Sequence, residues 1–107
     1  MNPNHGRSKL GAAQAQLAVN QNEAALETLS SVAADQLTGI DQSIHLHLLQ
    51  SQAYLQLGDP ANSLQTANLA SYLLNNPSVS SALAFQVAKA QAQGNYYNFA
   101  AFYSLTD

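Results

Sequence analysis

The tripeptide Gly58-Asp59-Pro60 does more than any other stretch to limit what this chain can become. It lies between two runs of helical periodicity, LHLLQSQAYLQL before it and ANSLQTANLASYLL after it. A glycine just past a helix end takes the left-handed conformation that closes the last turn, and an aspartate caps the start of the next helix. A proline then fits the first helical position, where the missing N–H has no intrahelical acceptor to lose. The three residues write a helix stop and a helix start with almost nothing between. They predict two antiparallel helices folded on each other as a hairpin.

Similar units flank it. Residues 1–7 lack periodicity and read as a flexible tail. Ser8 is placed to cap a first helix, KLGAAQAQLAV, that aligns Leu10, Ala13 and Leu17. Asn20-Gln21-Asn22 interrupts it, and NEAALETLSSV resumes with Ala25, Leu26, Leu29 and Val32 inward. After a connector from Ala33 to Gly39, in which Thr38 with Asp41 can open the next helix, Ile40 to Leu57 carries Ile44, Leu46, Leu48, Leu49, Ala53, Leu55 and Leu57. Apolar groups there cover more than one stripe, as in a helix held between neighbours. Pro60 to Leu74 turns Leu64, Ala67, Ala70 or Ser71, and Leu74 inward, and Asn75-Asn76-Pro77 ends it. Ser78 is expected to cap a fifth helix with Val79, Leu83, Val87 and Ala90 on one face. Gly94-Asn95 reads as a second break like Gly58-Asp59, followed by a sixth, short helix that turns Phe99, Phe102 and Tyr103 inward. The expected fold is all-α: one domain over residues 8–107, made of about three antiparallel hairpins at 8–33, 40–74 and 78–105.

Composition narrows the function classes. A chain of 107 residues is one small domain or a piece of a larger one, and only 8% of its residues are charged, against about 25% in an ordinary domain. Asn and Gln take the place of charge on the solvated faces. Net charge is −3 with three basic side chains, Arg7, Lys9 and Lys89, too few and too scattered to neutralise a phosphate backbone. Nucleic acid is therefore not an expected partner. No basic amphipathic face suits a lipid surface, and no apolar run approaches the roughly 18 residues of a membrane span. The absence of cysteine removes disulfides and thiolate chemistry and suits either the cytoplasm or a cell envelope. The opening MNPNHGRS has no apolar signal-peptide core, so export would need a signal elsewhere.

Gly58 and Gly94 stand roughly 36 residues apart, close to the ~34-residue period of tetratricopeptide repeats, each a helix, a turn and a helix. The middle hairpin resembles that family through Ser51, Ala53, Tyr54, Gly58 and Asp59, with Ser63, Ala67 and Ala70 as the small residues of its second helix. The third resembles it through Leu83, Val87, Ala90, Gly94, Asn95 and Tyr96, although Phe99 stands where a small residue belongs and Ala100-Ala101 arrives one residue late. In the first, Asn20 replaces the turn glycine and Ala25-Leu26 is the best match; His47 and Gln50 also depart from the family's large apolar residues. The resemblance implies a right-handed α-solenoid whose first helices line a concave protein-binding surface. A narrower similarity, carried by LLQSQAYLQLGDPANSL and QGNYYNFAAFYSL, is to the N-terminal domain of outer-membrane lipoproteins that activate penicillin-binding proteins. It implies an adaptor or scaffold in a periplasmic peptidoglycan-synthesis assembly; neither the lipobox cysteine nor the activating domain of that family occurs in these residues.

Few residues point to chemistry. His45 and His47 are two apart, roughly 200° around a helix, and cannot share one ion, while His5 falls in the tail. Asp41 and His45 share a face at i, i+4, the arrangement a small hydrolase or metal protein would need, but no nucleophile elbow accompanies them. Glu23 and Glu27 pair at a helix start, where carboxylates serve the helix dipole. The glycines are isolated, so no phosphate loop exists. No catalytic residue, metal or cofactor is expected.

The resemblance places Leu10, Gln14 and Leu17, then His45, Leu48, Gln52, Leu55 and Gln56, then Ser81, Ala84, Ala88 and Gln91 along the concave surface. None is Lys or Arg, so a bound peptide would be held by main-chain bonds to amides and by apolar pockets. Tyr96, Tyr97, Phe99, Phe102 and Tyr103 form an aromatic end that either covers the last helix pair or meets a partner. The expected function is a non-enzymatic protein- or peptide-binding module. The alternative is a structural spacer within a longer helical-repeat protein.

Overall fold

The structure is a computed structural model; it describes residues 5–32, 37, 39–75 and 79–106, with the helical backbone alone at 5–6 and 101–106. Five α-helices follow in order: α1 (His5–Ala18), α2 (Asn22–Ser30), α3 (Ile40–Gln56), α4 (Pro60–Tyr72), which runs into a 3₁₀ turn at Leu73–Asn75, and α5 (Ser81–Thr106). No strand occurs among the described residues.

The turn at Gly58 has the predicted construction, and its bonds are explicit. Gly58 takes φ +79°, its N–H donates to the Leu55 carbonyl at 3.1 Å, and the Asp59 N–H reaches back to the Tyr54 carbonyl at 2.9 Å. These are the paired bonds of a Schellman cap. Asp59 then caps α4: its carboxylate accepts from the Asn62 N–H at 3.2 Å and the Asn62 amide at 2.6 Å, with Pro60 next in line. The turn between α1 and α2 is built the same way around a different residue. Asn20 takes φ +62°, donating to the Leu17 carbonyl at 3.1 Å, and Gln21 donates to the Gln16 carbonyl at 2.8 Å. Asparagine is the side chain best able to stand in for glycine in this conformation, so a sequence departure leaves the geometry unchanged.

Three expectations about helix ends are corrected. α1 starts at His5, inside the supposed tail, so Ser8 is no cap. Once Leu10, Ala13 and Leu17 are buried, each residue added backward gains a hydrogen bond without a new nucleus. α3 begins after Gly39 at φ +112° with no side-chain cap, and Thr38 lies outside the described residues. Ser80 caps α5 by accepting from the Leu83 N–H at 3.2 Å, while Ser78 lies outside the described residues.

The larger correction concerns Gly94. It ends nothing: α5 runs through it for 26 residues, about 39 Å, so the third hairpin and the sixth helix do not form. Gly94 is buried, and a Cβ there would stand 3.0 Å from the Leu64 Cα and 3.1 Å from its Cβ. The glycine is a notch that lets α5 lie close against α4. Phe99, expected inward, is exposed, and the side chains of Phe102 and Tyr103 lie outside the described residues.

The core has two parts with α3 common to both. Leu10, Ala13 and Leu17 of α1 meet Ala25 and Leu29 of α2 and Leu49 and Ala53 of α3. On the other side Ile44 of α3 packs with Ala70 of α4 and Val87 of α5. α3 accordingly touches all four other helices. Within the central hairpin Ser51 and Ser63 are buried and cross-bonded, each hydroxyl donating to the other residue's carbonyl at 2.9 and 2.8 Å. Each hydroxyl thus finds an acceptor where burial would otherwise be costly.

Three glycines test this account because substitution at each predicts a different outcome, one a gain and two losses of different size. Gly11 lies in α1 with open space where a Cβ would point, so Gly11→Ala should raise stability by about 0.5–1 kcal/mol. Gly58→Ala must hold a side chain in the left-handed region and should lose about 1 kcal/mol. Gly94→Val should lose more, about 1–3 kcal/mol, through overpacking against Leu64. Urea unfolding of the three variants reads the order directly; a stabilised Gly94→Val would disprove the close crossing.

Candidate functional site

With its core faces turned toward the two clusters, α3 has one strip left over, and this strip faces two hollows. The larger, about 440 Å³, lies between α3 and α5. α3 contributes Leu48, Gln52, Leu55 and Gln56, and α5 contributes Gln86, Lys89, Ala90 and Gln93. Ser51 and Ser63 also line it, which puts the cross-bonded hydroxyls at the hairpin's contribution to the wall. The smaller, about 290 Å³, lies between α1 and the start of α3, lined by Arg7, Leu10, Gly11, Gln14, Gln42 and His45.

Among the residues proposed from sequence, Leu48, Gln52, Leu55 and Gln56 are brought together in the larger hollow, and Leu10, Gln14 and His45 in the smaller. Leu17 is not a groove residue: it is 2% exposed and belongs to the core. On α5 the register differs. Gln91 turns toward α4, donating its amide to Asn68 Oδ1 at 2.9 Å, and Ala84, Ala88 and Ser81 do not line either hollow. The physical reason is Gly94. Taken as a core contact it aligns with Val87 at i, i+7, which sets Gln91 beside them and rotates Gln86, Lys89 and Gln93 toward α3. Reading that glycine as a break hides the alignment.

The rotation changes the electrostatics. A surface without cations was expected, yet Lys89 lines the larger hollow and Arg7 the smaller, and among the described residues no carboxylate lines either hollow. The remaining basic residue, Lys9, donates to the Ser31 carbonyl at 3.0 Å, at the C-terminal end of α2 where a cation meets the helix dipole. Tyr96 and Tyr97 are exposed on the C-terminal half of α5, with their rings edge to face at 5.2 Å.

His45 is half-buried, and burial lowers its pKa below the ordinary value. A neighbouring carboxylate would push the other way, and among the described residues no hydrogen bond or ion pair joins Asp41 to His45. Also among the described residues, no three His, Asp or Glu side chains gather as a metal site requires. The hollows offer amides, apolar side chains and one Lys or Arg each, with the Ser51 and Ser63 hydroxyls at the larger and His45 at the smaller.

A histidine whose folded pKa is depressed takes up protons more readily when unfolded, so its effect on stability is absent at high pH. Stability falls as pH drops below the unfolded value of about 6.5 and through the lower folded one. Thermal melts from pH 7.5 to 5 should therefore show a shallower decline in His45→Gln than in the parent; equal slopes would mean that His45 is not desolvated.

No family model, no curated protein and no solved structure matches this chain.

Proposed function

We propose that this chain is a non-enzymatic protein-interaction module of the tetratricopeptide-like kind, which holds an extended segment of a partner in the hollow between α3 and α5. The observation that carries this reading is the lining itself. Gln52, Gln56, Gln86 and Gln93 each bring a donor and an acceptor, so they pair with the N–H and C=O groups of an extended backbone whatever its side chains. Leu48 and Leu55 supply apolar contact, and Lys89 favours a partner carboxylate. The volume of about 440 Å³ suits a few side chains of a peptide. Contacts of α3 with both α1 and α5 support the reading, since they range the first helices of the two hairpins and the single helix α5 in sequence, with α3 between α1 and α5. An assignment to an envelope assembly rests on the sequence resemblance alone.

The test begins with peptides selected from a random-sequence display library against the whole domain. Peptides bound by the hollow should lose about tenfold in affinity, or about 1.4 kcal/mol, in a Gln52→Ala, Gln56→Ala double variant with unchanged helicity. Lys89→Glu should penalise acidic peptides in particular. All three positions are exposed, so loss of folding would not explain the result. Equal binding by parent and variants would remove the hollow from consideration, and failure to select any peptide would favour the spacer role.

A further inference from the structure

α5 carries two apolar faces, one packed into the domain and one largely exposed at its described residues. The covered face holds Val87 and Gly94, with Leu83 and Ala90 half-buried beside them. On the opposite side Phe85, Lys89, Ala92, Tyr96 and Phe99 follow alternating steps of four and three residues, the spacing of a coiled-coil seam, and the pattern continues in sequence to Tyr103. Phe85 is 70% exposed, Tyr96 67% and Phe99 62%, and Lys89 and Ala92 are exposed between them. From Phe85 to Phe99 the seam is about 21 Å long. Scattered exposed apolar residues need no explanation, but large ones in heptad register along one helix do.

We propose that this face pairs with the same face of a second copy of the chain, with the two α5 helices antiparallel and crossing near Gly94. The seam complements itself only in that direction. Turned end for end about residue 94, Ala92 meets Tyr96 and Lys89 meets Phe99. A small residue then faces a large one, and an ammonium group faces an aromatic ring, which attracts it. A parallel pair would set Lys89 against Lys89 inside the seam, a like-charge contact with no counterion. No carboxylate lies along the seam from Phe85 to Tyr103, so the net charge of −3 does not oppose the pairing there. This face is opposite the packed one and shares a single residue, Lys89, with the lining of the larger hollow, so the pairing and an acidic peptide would compete for that cation.

Light scattering after size exclusion tests the pairing on the 107-residue chain, with mass moving toward twice 11.4 kDa as concentration rises into the hundreds of micromolar. Tyr96→Glu and Phe85→Glu should each restore the monomer mass with unchanged circular dichroism. Val19→Glu, at an exposed apolar position remote in sequence, should remain dimeric. Because the chain has no cysteine, orientation is read by oxidation: an equimolar mixture of Ala92→Cys and Tyr96→Cys should cross-link faster than either alone. A monomer at all concentrations to about 1 mM overturns the proposal, as does a dimer that survives both glutamate variants. Faster cross-linking of Ala92→Cys alone overturns the antiparallel register.

Discussion

Everything in this fold depends on α3 being buried from two sides. Ile44 points into one cluster with Ala70 and Val87, while Leu49 and Ala53 point into the other with residues of α1 and α2. Each cluster alone is small, and a domain of this size has little apolar burial to spare. Sharing one helix joins the clusters, so neither hairpin can open without exposing a face of α3 that the other still needs. The two halves are expected to unfold together for that reason.

Close approach makes the sharing possible, and small side chains provide it. Ala13, Ala25, Ala53, Ala67 and Ala70 are all fully buried, and Gly94 lets α5 reach the backbone of α4 at Leu64. The Ser51 and Ser63 hydroxyls perform the same service in the central hairpin while satisfying each other's carbonyls. Helices packed this tightly leave little room for large inward side chains, and Phe85, Tyr96, Tyr97 and Phe99 of α5 accordingly stay outside. The strip that faces the larger hollow follows from the same geometry: with two faces of α3 consumed, Leu48, Gln52 and Gln56 are what remains between its neighbours.

Much of this was legible because local bonds announce themselves locally. Asp59, Pro60 and Gly58 each satisfy a backbone requirement within five residues of themselves, so the central turn could be read residue by residue. The periodicity of Leu10, Ala13 and Leu17, and of Ala25 and Leu29, marked core positions without knowledge of what would cover them. The four α3 residues of the larger hollow were placed by the repeat resemblance, while the α5 residues it placed do not line that hollow. Gly94 supports two opposite readings in sequence, a helix end or a close crossing, and the residues around it do not choose between them. The error then spread through the register, replacing Gln86, Lys89 and Gln93 with Ala84, Ala88 and Gln91 and concealing a cation at the hollow.

By itself, then, the sequence determined that the chain is helical, where its first two hairpin turns fall and which faces of the first four helices are buried, because hydrogen bonding in caps and side-chain periodicity act over a few residues. Only the tertiary structure decided that α5 is a single long helix and how it is rotated. A glycine inside a helix costs roughly 1 kcal/mol of local preference, too little to end the helix when the neighbouring Leu64 backbone occupies the space that any side chain at position 94 would need.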